Sequence, residues 1–128
     1  MYSVLIHLWL GRRRNQQNIV FRFLARHPKE GLGSLDEEDA IERMMGKAHC
    51  PNLILLNQFK QSIAEVLEMG RRICKTSGLP KDVLIVIVAE RYGADWEGQD
   101  VQVGDREYVS YPEDGQQLID LLQKLCPV

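Results

Sequence analysis

Residues able to do chemistry are unevenly spread along this chain of 128 residues. Residues 95–114 hold seven carboxylates, Asp95, Glu97, Asp100, Asp105, Glu107, Glu113 and Asp114, against Arg106 alone, with Glu90 just upstream. Residues 1–29 are the reverse, carrying Arg12, Arg13, Arg14, Arg22, Arg26 and Lys29 and no acid. Solvated faces are the ordinary outcome of such polarity; the functional alternatives are a complementary protein surface, or a weak phosphate contact for Arg12 to Arg14. Metal chemistry finds little support. His7, His27 and His49 share no ligand spacing, and Cys50, Cys74 and Cys126 are odd in number and form no CxxC, so buried reduced thiols are expected. The acidic run Asp36 to Asp39 suits the first turn of a helix, where carboxylates meet the positive end of the dipole. Neither GxxxxGK[ST] nor GxGxxG occurs, so no glycine-rich loop is present to hold a nucleotide phosphate. What remains is residues 51–58, PNLILLNQ: an aliphatic run of strand length that delivers an uncharged amide, Asn57, at its carboxyl end.

The elements that must position these groups alternate. Val4 to Leu10 is an apolar run of strand length, and Ile19, Val20, Phe23 and Leu24 then mark one face of a helix over about Arg13 to Arg26. HPKEGLGSLD should supply a second strand, weakened by its glycines and so placed at an edge. Ala40, Ile41, Met44, Met45 and Ala48 form a helical stripe; Leu53 to Leu56 is a buried strand; Ile63, Val66, Leu67, Gly70, Ile73 and Cys74 line another helix, which Gly78-Leu79-Pro80 ends. Val83 to Val88 is wholly apolar, the mark of a central strand covered on both faces. Between Glu90 and Glu107 no helical periodicity is found; Val101-Gln102-Val103 and the glycines predict a loop or a small hairpin turning at Gly104-Asp105. Tyr108 to Tyr111 reads as a strand, and Leu118, Ile119, Leu121, Leu122 and Leu125 as a last amphipathic helix. Strands alternating with helices predict one α/β domain over 1–128, a parallel sheet with helices on both sides.

With 45% hydrophobic and 27% charged residues the composition is that of a soluble globule, and a net charge of −2 gives no global reason for nucleic acid or an anionic membrane as partner. No apolar run is long enough to span a bilayer, and in MYSVLIHLWLGRRR the basic cluster follows the apolar run, the reverse of a secretory signal, so a cytoplasmic location is expected.

In order and approximate spacing, DAIERM, PNLILLN, VLIVIVA and GDREYVSYPED followed by QLIDLLQKL resemble the receiver domain of bacterial two-component response regulators, across essentially the whole chain. The resemblance implies a flavodoxin-like, three-layer fold with a five-stranded parallel sheet in the order 2-1-3-4-5, the fourth helix here lost or replaced by a loop or hairpin. It also implies a phosphorylation pocket: an acceptor aspartate, an acid pair holding Mg²⁺ through hard oxygen ligands, a hydroxyl and a lysine. In this chain those positions match Asn57, the pair Leu8 and Trp9, Val88 and Tyr111, all different in kind. The first acid anywhere is Glu30, so no slip along the first strand restores a carboxylate pair. Tyr108 matches the switch aromatic, whose usual hydroxyl partner would be Val88. The expected protein is therefore a pseudo-receiver: no metal, no cofactor, no catalytic residue, and a hollow filled by apolar surface.

Signalling by such a domain would pass through contacts with a protein partner, or through a homodimer. The resemblance places those contacts on the face of the fourth helix, fifth strand and fifth helix, here Tyr92, Asp95, Trp96, Glu97, Asp100, Gln116 and Asp120, with the aromatics as anchors. The competing structural role for Tyr92 and Trp96 is packing of their loop onto the sheet. Two other functions stand beside this one. DVLIVIVAERYG resembles a segment of TIR-like domains that cleave nicotinamide nucleotides, with Glu90 or Glu107 as the acid, and the former acid pocket beside Trp9 and Tyr111 suits a small sensed molecule.

Overall fold

The computed structural model describes residues 4–7, 31–34, 37–38, 41–42, 53–58, 61–90 and 92–125. Its architecture is α/β. The strands are β1 (Val4–His7), β2 (Gly31–Ser34), β3 (Leu53–Asn57), β4 (Leu84–Val88), β5 (Gln99–Gly104) and β6 (Glu107–Tyr111), and the helices α1 (Ile63–Thr76) and α2 (Gly115–Leu125). They form one mixed sheet in the order β2-β1-β3-β4-β6-β5. Every pairing is parallel except β5 with β6, which is an antiparallel hairpin. The glycine-weakened GLGS stretch does form an edge strand, and Glu37, Glu38, Ile41 and Glu42 are helical, as the acidic start there predicts. The helix expected over Arg13 to Arg26 lies outside the described residues.

The two unbroken apolar runs are central because nothing in them is polar on either face. Leu53, Leu55, Val86 and Val88 pack beneath Leu118, Ile119, Leu121 and Leu122 of α2. Ile54, Leu56, Ile85 and Ile87 face the other way, against Val66, Met69 and Ile73 of α1. Alternate residues of one strand thus serve two layers, and β3 is entirely buried.

Local chemistry sets the helix ends. Ser62 caps α1 in a reciprocal box, its Oγ accepting from Glu65 N at 3.1 Å while Glu65 Oε1 accepts from Ser62 N at 3.3 Å. At the other end Gly78 turns left-handed, with φ 69°, as Leu79 N donates to Cys74 O at 2.9 Å and Gly78 N to Lys75 O at 3.2 Å. Asp114 Oδ1 accepts from Gln117 N at 2.9 Å and so starts α2.

The segment without helical periodicity is a tight turn and a strand. Trp96 N and Glu97 N both reach Gly93 O, at 3.0 and 3.3 Å. Gly98, with φ 87° and its N–H on Tyr111 O at 2.8 Å, then swings the chain into β5. The expected hairpin forms, its turn one residue later than Gly104-Asp105: Asp105 and Arg106 connect β5 to β6, with an irregular register between Gln102 and Gly104.

Candidate functional site

Asn57, Val88 and Tyr111 come together at the carboxyl ends of adjacent parallel strands, where ligands gather in open α/β sheets. Asn57 is 3% exposed and sits level with Val88, which is fully buried. Leu8 and Trp9 lie outside the described residues, so their side of this crater is not described. The rest of it is closed by hydrogen bonds and rings. Gln58 N donates to Val88 O at 3.0 Å. The Gln58 side chain accepts from Glu90 N at 3.0 Å and donates to Gln61 O at 2.9 Å, tying the loops after β3 and β4 to each other. A backbone N–H that could otherwise receive an anion is therefore already occupied.

Tyr111, at the lysine position of the resemblance, carries an aromatic cluster. Tyr92 meets it edge-on with ring centroids 5.5 Å apart, and Trp96 lies tilted over it at 5.1 Å. The Tyr92 hydroxyl donates to Pro112 O. Tyr92 thus packs its loop onto the sheet, the structural alternative to an anchoring role, whereas Trp96 packs on Tyr111 and remains 48% exposed.

Tyr108 faces the other layer, partly buried against the α2 cluster. Its neighbour Ser110, fully buried, donates to Asp100 Oδ1 at 2.7 Å, and Gln117 Nε2 donates to the same oxygen at 3.0 Å. One carboxylate so joins β5, β6 and α2. Gln116 Nε2 donates to Asp120 Oδ1 at 2.8 Å. Asp100, Gln116 and Asp120 line one groove of about 620 Å³ between the hairpin and α2, with Tyr108, Glu113 and Asp114 beside them. Asp95, Trp96 and Glu97 lie on the exposed turn leading into β5. The expected interface residues therefore fall into two places: Tyr92 under the turn, and the others around the hairpin and α2.

Glu90 and Glu107 do not share a site. Glu90 follows the carboxyl end of β4, whereas Glu107 opens β6 at the opposite end of the sheet, paired with Ile85. Glu107 is held in a two-pronged ion pair, Arg71 Nε to Oε2 at 2.7 Å and Nη2 to Oε1 at 2.8 Å, with its side chain 14% exposed. The guanidinium holds this carboxyl below its ordinary range, which suits a structural latch between α1 and the hairpin and leaves a poor proton donor. The sign for stability follows. A folded-state pKa below the unfolded one contributes stability above the unfolded value and loses it as pH falls through the folded value. Glu107→Gln is expected to lower the urea midpoint at neutral pH and to converge on wild type under acid; an unchanged gap down to the lowest pH at which the protein is folded would exclude the latch.

Cys74 is a free thiol, half-buried, pushed up to about 11 first by burial and then by the charge of Glu107, so it stays protonated. Cys50 and Cys126 lie outside the described residues. Among the described residues no three His, Cys, Asp or Glu side chains are grouped to hold a metal ion, and no helix is long and apolar enough to cross a membrane.

Reading the sequence missed Gln58 and Gln117, two amides that join separate elements here. Gln58 had a signal in being the second amide in succession after an apolar run, and Gln117 in standing three residues after Asp114, the spacing of a capping box. No protein-family model matches the chain, and no curated protein matches it.

Proposed function

We propose that this chain is a pseudo-receiver: a phosphorylation-independent signalling domain, working in the cytoplasm, that acts by docking a protein partner on the face made by the β5–β6 hairpin and α2. On this reading the parallel strands β2-β1-β3-β4-β6 correspond to the order 2-1-3-4-5, and the turn and strand over 92–104 to the fourth helix of a flavodoxin-like receiver. Both features support the receiver-like reading.

The observation that carries the proposal is the crater at Asn57. A phosphoryl acceptor must be an exposed nucleophilic carboxylate next to a bound cation, and a buried amide is neither. Gln58 occupies the Glu90 amide, and on this reading Tyr111, packed by its two ring partners, takes the place of the phosphate-binding lysine. Tyr108 has no hydroxyl at Val88 to bond, so the aromatic switch has no trigger. A domain without this charge-driven transition rests in one state, and its signal is the presence of its docking face.

Incubating the purified chain with acetyl phosphate and Mg²⁺ tests this directly. Intact mass should be unchanged; a gain of one phosphoryl group that survives at neutral pH and is lost to hydroxylamine would overturn the proposal.

A further inference from the structure

We infer that the outer edge of β5 is a strand-addition site for an extended, basic segment of a partner protein in which cationic and apolar residues alternate. The inference rests on the docking-face reading above and goes beyond it by naming the partner's chemistry.

β5 ends the sheet order, so one row of its backbone N–H and C=O groups has no strand partner among the described residues. Edge strands are ordinarily blunted by lysine, proline or brevity; β5, QDVQVG, has neither residue and is among the longest strands described. The irregularity between Gln102 and Gly104 leaves Gln99–Gln102 as its regular part.

The two faces of this edge differ. Val101 stands opposite Val109, a residue of the α1-side core, and Trp96 covers Tyr111 on that same side. Trp96, 48% exposed, and Val103, 43% exposed, are the exposed large apolar side chains among the described residues, the first just before this strand and the second within it, at the irregularity. On the other side Asp100 and Gln102 stand opposite Ser110 and Tyr108, above the groove that also holds Glu113, Asp114, Asp120 and Lys124. Four carboxylates face one ammonium there. The hydrogen-bond donors to Asp100, Asp114 and Asp120 are a hydroxyl, side-chain amides and a backbone N–H, all neutral, so within the groove Lys124 alone offsets the negative charge.

Side chains of an added strand alternate between the same two faces. One set would meet Trp96 and Val101, the other the carboxylates, which selects an apolar-basic alternation. A second copy of this chain is the poorer occupant: two β5 edges related by a two-fold axis would bring acidic grooves together, and like charges across an added strand repel.

A dye-labelled peptide alternating lysine and valine, titrated into the full chain and read by fluorescence anisotropy, tests the site, with amide shifts over 99–104 followed by NMR. Binding is expected, confined to those amides. It should weaken at least about tenfold when alternate peptide nitrogens are methylated, because the backbone bonds are lost while charge and side chains remain. The glutamate-valine analogue should not bind, and Trp96→Ala and Asp100→Asn should each weaken the lysine-valine peptide. Equal binding of the methylated peptide, shifts elsewhere on the fold, no binding at all, or sedimentation of the free chain as a dimer would each overturn the inference. The failures separate cleanly: a chain phosphorylated by acetyl phosphate loses the pseudo-receiver reading whatever the peptide does, whereas an unphosphorylated chain that ignores the peptide loses only the strand-addition site.

Discussion

Gly70→Val should lower unfolding free energy by about 3 kcal/mol, a large part of the 5–15 kcal/mol typical of a domain. Gly70 lies in the middle of α1, on the side that presses against β3 and β4. A Cβ built there meets Leu56 Cδ1 at 2.8 Å and Ile85 Cγ2 and Cδ1 at 3.3 and 3.4 Å. Leu56 is fully buried and Ile85 is 4% exposed, so neither can swing into solvent to make room. The two extra methyls of valine must instead lift the helix from the sheet or force strained rotamers, and a helix-propensity gain of well under ~1 kcal/mol cannot offset that. Alanine at the same position should be milder, because a propensity gain of about 1 kcal/mol opposes a single tight contact. A cycle tests the contact itself: Leu56→Ala alone should cost about 2–5 kcal/mol, and Gly70→Ala should be better tolerated in that background than in wild type. Urea unfolding of the four proteins decides it. A Gly70→Val variant as stable as wild type would mean that α1 does not sit this close.

Asn57→Asp should be nearly as severe, and its pH dependence is its signature. The substitution changes almost no volume but asks a site with 3% exposure to accept a carboxylate. Desolvation raises the folded-state pKa of such a group by about 2–3 units, at roughly 1.4 kcal/mol per unit, so the loss at pH 7 is about 2–4 kcal/mol. A raised folded pKa means that the penalty is absent below the unfolded value near ~4 and grows as pH climbs to the folded one. The variant should therefore unfold like wild type under mild acid and fall behind it at neutrality, measured as urea midpoints across that range. On the proposed reading, a carboxylate at 57 alone should not bring phosphoryl chemistry: Leu8 and Trp9, which the resemblance matches to the acid pair, carry no carboxylate for Mg²⁺. An Asn57→Asp protein that kept full stability at pH 7 and took up phosphate would show the crater to be an open, solvated receiver pocket.

Much of this was legible in the chain itself. Unbroken aliphatic runs at Leu53 to Leu56 and Val83 to Val88 can be buried on both faces only inside a sheet covered twice, so the layered α/β arrangement follows from composition and period. The absence of any acid before Glu30 is likewise a property of the chain, independent of register. Helix stripes such as Leu118, Ile119 and Leu122 announce their buried face because 3.6-residue spacing leaves few alternatives.

The site was less legible because its bonds join residues far apart in sequence. Gln58 to Glu90, Arg71 to Glu107 and Asp100 to Gln117 are each set by how two strands or a helix and a hairpin come to rest together. Trp96 reads equally well as anchor or filler until Tyr111 is seen beneath it. Glu90 and Glu107 are alternative acids in the sequence, and because β4 and β6 run parallel they stand at opposite ends of the sheet. Period and polarity determined which segments are strands and helices and which faces they bury, because hydrophobic burial is a local pattern written along the chain. Only the tertiary structure decided which carboxylates gather in one groove, which is locked to an arginine and which strand edge has no strand partner among the described residues, because electrostatics and hydrogen bonding depend on distances that no spacing in sequence contains.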